Sequence, residues 1–116
     1  MAALAVPELS ELDVPQQRRP PDCPVEDWVT FLGHRWTALA LWHLKGGAKR
    51  HRALMMALPG VSPKVLSERL AALEERGLVV RSSTTTFPRC VSYSLSQKGA
   101  GLVAILDQIE LWSRRG

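Results

Sequence analysis

Two kinds of residue in this chain could do chemistry. The first is cationic and hydroxylic: Lys49, Arg50, His51 and Arg52 run together, Ser62 and Lys64 flank Pro63, and Arg81 and Arg89 bracket a stretch of hydroxyls at 82–86. Guanidinium and ammonium groups among hydroxyls bind phosphate oxygens through charge-assisted hydrogen bonds. The second is a thiol, Cys23, placed just before Pro24 and so at the start of a helix, where free amides and the helix dipole favour the thiolate. Pro24 removes one of those amides, and Glu26 and Asp27 bring opposing charge. Cys90 falls in a strand-like run and reads as inert. His34, His43 and His51 lack compact ligand spacing, so no metal and no cofactor is expected. Phosphate loops, nucleophile elbows and paired carboxylates are missing from the sequence, which therefore reads as a non-enzyme.

The bulk properties agree with a polyanionic partner. The chain has 116 residues, 46% of them hydrophobic, and a net charge of +4. Residues 1–22 hold four acids against two arginines, so the rest of the chain, with 13 Lys and Arg against 7 Asp and Glu, carries +6. Nucleic acid is the commonest partner for such a surface. No apolar run approaches the ~20 residues of a membrane span. Two widely spaced cysteines suit a reducing compartment, and a cytoplasmic location is expected. Arg18-Arg19 is followed by polar and proline residues rather than an apolar stretch, so it is not an export signal.

The elements that must position these groups can be read from periodicity. Residues 1–22, with Pro7, Pro15, Pro20 and Pro21, form an arm without helical pattern; its scattered leucines and valines leave open both disorder and docking. A single domain is expected over 23–116. Pro24 opens a first helix through Val25, Trp28, Val29 and Leu32, stopped by Gly33. A second runs from Trp36 to Leu44 and stops at Gly46-Gly47. The basic cluster leads into a short third helix ending at Pro59-Gly60. Ser62 then caps a fourth helix, with Pro63 in its first turn and Leu66, Leu70 and Leu73 on one face. Leu78 to Arg81 and the run Val91, Tyr93, Leu95 form an antiparallel hairpin. Ser96 caps a terminal helix whose stripe is Leu102, Ile105, Leu106, Ile109 and Trp112. The fold class expected is mainly α with a small β-hairpin.

Particular stretches carry a family resemblance. They are Cys23-Pro24-Val25-Glu26, Gly33-His34-Arg35-Trp36-Thr37, the turn and helix from Leu58-Pro59-Gly60 through Ser62-Pro63-Lys64 to Ser67-Glu68-Arg69-Leu70, Leu73-Glu74-Glu75-Arg76-Gly77-Leu78-Val79, Val91-Ser92-Tyr93-Ser94-Leu95-Ser96, Gly99, and Leu106-Asp107 with Trp112. Over residues 23–116 the chain resembles the HxlR-type helix-turn-helix regulators, relatives of the MarR-type winged-helix proteins. It departs at Ser92, where that family usually has an acid, and at Arg89, where a second proline often follows the first.

The resemblance implies a winged helix-turn-helix transcription regulator that binds a pseudo-palindromic duplex as a homodimer, its N- and C-terminal helices forming the dimer interface. Recognition helix 62–76 would enter the major groove and wing 81–91 would lie on the minor groove or backbone. Arg50, Arg52, Ser62, Lys64, Arg81 and Arg89 are the candidate phosphate contacts. Ser67, Glu68 and Arg69 are placed further along the recognition helix, Ser67 and Glu68 within reach of base edges. Glu68 fits equally an ion pair with Lys64 or Arg69. Trp28, Leu102, Ile105, Ile109 and Trp112 are the interface candidates, although the same residues could close the monomer core. Members of the family sense oxidants or electrophiles through a cysteine at the place of Cys23, so a redox or small-molecule effector is a further expectation. The competing reading is a winged-helix protein-protein adaptor without DNA binding.

Overall fold

The computed structural model describes residues 23–115, and the arm at 1–22 lies outside them. The chain divides into two compact units, one ending at Gly33 and the other beginning at His34. Helix α1 (Pro24–Leu32) belongs to the first. Cys23 is its extended N-cap, its carbonyl accepting from the Asp27 amide at 2.9 Å. Gly33 closes α1 by donating to Val29 O at 2.8 Å. Trp28 and Phe31 meet edge to face, with centroids 5.8 Å apart.

The second unit holds α2 (Thr37–Trp42), β1 (Lys49–Arg50), α3 (His51–Ala57), α4 (Pro63–Glu75), β2 (Val79–Ser83), β3 (Val91–Leu95) and α5 (Gln97–Arg115). Three helices, a turn-linked fourth element and a β-ribbon followed by a last helix give the winged helix-turn-helix order. Two details differ from the sequence reading. First, the hairpin is part of a three-stranded antiparallel sheet in the order β1–β3–β2. Lys49 and Arg50, read from sequence as the approach to the third helix, instead pair with Tyr93 and Ser92. Arg50 is extended, at φ −81° and ψ 159°, and so serves both as strand end and as N-cap of α3. Second, α2 stops at Trp42 rather than Leu44, because the chain tightens into three-residue turns, Leu44 N donating to Leu41 O and Lys45 N to Trp42 O.

The core is a leucine cluster: Leu41, Leu44, Leu54, Leu58, Leu66, Leu70, Leu73 and Leu78 are all 2% exposed or less. Burying each such side chain stabilises the fold by ~1.5–3 kcal/mol. The turn between α3 and α4 is shaped by Gly60, whose φ of +99° lies in the region that favours glycine and whose missing Cβ would meet the Trp36 ring at 3.7 Å. Trp36 itself has φ 78°, an unusual value for a bulky residue. Its ring is covered from the other direction by the Arg35 guanidinium, 4.7 Å from the centroid, which helps to offset the backbone strain.

The start of α5 is locked to the end of α4. Ser96 Oγ accepts from the Gly99 amide at 3.0 Å and donates to the Gly77 carbonyl, while Ser96 N donates to Leu78 O at 3.0 Å. Gly99 is buried here, and a Cβ built on it would stand 2.0 Å from the Leu78 carbonyl oxygen. Further along, Asp107 Oδ1 accepts from Lys45 Nζ and from Trp42 Nε1, each at 2.9 Å, tying α5 to the end of α2. The hydrogen bonds from Lys45 and then Trp42 hold the Asp107 carboxyl below the usual carboxylate range, desolvation opposing them.

Gly99→Ala is expected to destabilise the protein by about 3 kcal/mol or more in urea melts, because backbone must move. Gly101→Ala, in the same helix with nothing within 4 Å, should instead stabilise by about 0.5–1 kcal/mol. For Asp107 the folded-state pKa is depressed, so its charged form stabilises above the unfolded value of about 3.9 and that contribution disappears as pH falls through the folded value. The stability gap between wild type and Asp107→Asn should be flat from pH 7 to about 5 and close below about 4, measured by denaturant midpoints across pH.

Candidate nucleic-acid interface

Helix α4 has two unlike sides. Leu66, Leu70 and Leu73 are completely buried, whereas Lys64, Ser67 and Glu68 are exposed. The helix begins where Ser62 Oγ accepts from the Val65 amide at 3.1 Å and Pro63 takes the first position. Cap and leucine spacing together aim the N-terminal half of the outer side away from the body. With its acceptor role used by the cap, the Ser62 hydroxyl retains its hydrogen for an outside acceptor. Lys64 is exposed in the same turn. Among the described residues no ion pair involves Lys64 or Glu68.

Arg69 and Ser67 are engaged within the subunit. Arg69 is half-buried and its Nε donates to the Arg35 carbonyl at 2.8 Å, which ties α4 to the loop at 34–36. Ser67 Oγ lies 3.1 Å from His51 Nε2. Sequence spacing gave no sign of either contact, since the partners are separated by 34 and 16 positions. The sequence reading placed His51 only within the basic cluster, and its link to the outer side of α4 is visible only in three dimensions.

The sheet supplies a second cationic region. Antiparallel register places Lys49, Tyr93 and Arg81 in one row, and Arg50, Ser92 and Ser82 in the next. Residues in one row share a face of the sheet. The second row contributes to a cleft of ≈ 370 Å³ whose lining includes Arg50, Ser82, Ser83, Thr84, Cys90 and Ser92. Among the described residues no carboxylate lines it, and the full charge there is the Arg50 guanidinium. Arg52, Arg81 and Arg89 are exposed. The ribbon tip is braced from within: Thr84 Oγ1 accepts from the Cys90 amide at 2.9 Å, and Thr84 N donates to Cys90 O at 2.9 Å. Cys90 is half-buried, its Sγ 3.8 Å from Pro88 O. Phe87, unremarked in the sequence reading, stands 97% exposed at this tip.

The terminal helix sorts its apolar residues into two sets. Val103 is buried, a core position that the sequence stripe omitted. Leu102 is half-buried. Ile105, Ile109 and Trp112, at i, i+4 and i+7, are 57%, 54% and 71% exposed, so among the described residues one side of α5 is left uncovered. In α1, Trp28 is half-buried, while Val25 and Val29 are 72% and 64% exposed. Among the described residues no helix is long and apolar enough to cross a membrane.

Comparison with known proteins accounts for this arrangement. A family model described as HxlR-like helix-turn-helix matches residues 31–115. The HTH-type transcriptional regulator YvaP of Bacillus subtilis (strain 168) is 41% identical over 92 residues, 78% of this chain and 85% of YvaP. The HTH-type transcriptional regulator YodB of the same organism is 35% identical over 92 residues, 78% of this chain and 82% of YodB. The solved reduced form of YodB superposes with a TM-score of 0.71 at 35% identity, covering 78% of this chain and 90% of that one. The redox regulator HypR in its reduced form gives a TM-score of 0.74 at 29% identity, over 80% of this chain and 92% of HypR. YodB has also been solved diamide-treated and quinone-bound. These relatives are transcriptional regulators rather than enzymes, and the chain belongs to the HxlR-like helix-turn-helix family.

Proposed function

We propose that this regulator binds duplex DNA in the cytoplasm as a homodimer, with α4 in the major groove and the β2–β3 wing on the adjacent backbone or minor groove. The observation that carries the reading is the two-sidedness of α4, completely buried at Leu66, Leu70 and Leu73 yet exposed at Lys64, Ser67 and Glu68, in a chain that also exposes Arg50, Arg52, Arg81 and Arg89. Cationic groups at a capped helix start suit phosphate, and polar groups one turn further suit base edges. Arg69, held through Nε by the Arg35 carbonyl, acts as a brace for α4 in this reading and contributes its charge. A second copy covers the exposed side of α5 at Ile105, Ile109 and Trp112, with Leu102 at its edge. Trp28 and its neighbours on α1 contribute a further apolar surface.

Regulation through Cys23 is part of the same proposal. The thiol is half-buried at the start of α1. Support comes from the relatives: HypR is described as a redox regulator, and YodB has been solved after diamide treatment and in a quinone-bound form. An electrophile adding to the Cys23 thiolate, or an oxidant that takes two electrons as the Cys23 thiols of two subunits lose their protons and join in a disulfide, would alter α1 and so the pairing of subunits.

Binding to duplex DNA should weaken steeply with salt. Lys64→Ala and Arg89→Ala should each weaken binding to all sequences alike and lower the salt slope by about 1, read from titrations at several salt concentrations. No binding to any duplex at low salt would favour a protein-binding adaptor. Ile109→Glu should shift the protein from dimer to monomer in sedimentation velocity. Treatment with diamide should change the DNA affinity of wild type and of Cys90→Ser, and leave Cys23→Ser unchanged.

A further inference from the structure

The contact between His51 Nε2 and Ser67 Oγ, at 3.1 Å, joins the first residue of α3 to the outer side of α4. Both ends are held in place. Leu54 of α3 and Leu66 and Leu70 of α4 are completely buried, and Arg50, the residue before His51, is paired with Ser92 in the sheet. The imidazole therefore reaches Ser67 from a backbone fixed on two sides.

A serine hydroxyl carries one hydrogen and two lone pairs. Left alone it rotates, and it serves a base edge as donor or acceptor, which distinguishes bases poorly. An imidazole nitrogen at hydrogen-bond distance removes that freedom. When Nε2 bears the proton it donates to Oγ, and Ser67 keeps its own hydrogen for an acceptor such as guanine O6 or thymine O4. When Nε2 is bare it takes that hydrogen, and Ser67 presents only lone pairs, which match the amino groups of adenine or cytosine. We propose that His51 is a specificity-determining positioning residue: it sets the hydrogen-bonding role that Ser67 offers to a base pair in the major groove. The proposal rests on the DNA-binding reading above and adds to it a residue that need not touch the DNA.

The test is selection of bound sequences from a random duplex library by wild type, Ser67→Ala, His51→Phe, His51→Ala and the double variant His51→Phe/Ser67→Ala. Phenylalanine keeps a flat ring but no nitrogen, and the alanine variant covers the case in which it packs badly; circular dichroism melts check folding. Ser67→Ala and His51→Phe should alter preference at the same base pair and nowhere else. Discrimination there, about fivefold or more in wild type, should fall toward parity in both, and the double variant should match Ser67→Ala alone. A His51 variant with the wild-type profile, a change at a different base pair, additive effects in the double variant, or no effect of Ser67→Ala overturns the role while leaving DNA binding intact. A wild-type protein that binds no duplex at low salt overturns the DNA-binding reading and this role together.

Discussion

The removal of Leu66, Leu70 and Leu73 from water is the constraint on which the second unit depends. These side chains come from one 13-residue helix, and the neighbours that bury them, α2, α3 and β2, are the elements that must be placed for a helix-turn-helix with a wing to exist. Because the leucines recur at i, i+4 and i+7, the rotation of α4 about its axis is fixed. Lys64, Ser67 and Glu68 are then outward by geometry rather than by any attraction of their own. The Ser62 cap fixes where the helix begins, and Arg69, bonded to the Arg35 carbonyl, fixes its lean toward the loop at 34–36.

Much of this was legible in the sequence because it is local. Capping serine, first-turn proline and leucine spacing act within a few residues, and they placed α4 correctly; Gly33 closed α1 for the same reason. The apolar stripe of α5 also followed from helical period, although period alone left open whether Ile105, Ile109 and Trp112 close the subunit's own core, and the stripe missed that Val103 turns inward. What was hidden is what depends on distant pairing. The strand at Lys49–Arg50 is two residues long and exists only because β3 is there to receive it. Asp107 meets Trp42 and Lys45 across more than 60 positions, and the His51–Ser67 contact needs two helices packed at a set distance. No spacing rule encodes such meetings, since side chains of many types could have stood at either end.

The absence of any carboxylate in the lining of the cleft beneath the wing has a similar origin. Register puts Ser92 opposite Arg50, so the guanidinium faces a hydroxyl. An acid there would neutralise the row; a serine leaves its positive field directed outward.

The junction of Gly99, Leu78 and Ser96 has a mechanical consequence. With no room for even a methyl group between the first turn of α5 and Leu78, the residue before β2, and with Ser96 bonded to both sides, there is no slack to absorb sliding. Close-packed contacts of this kind pass displacement on instead of dissipating it. Any tilt imposed along the length of α5 is delivered to the root of the ribbon and the tail of α4 as by a stiff lever hinged at a single glycine.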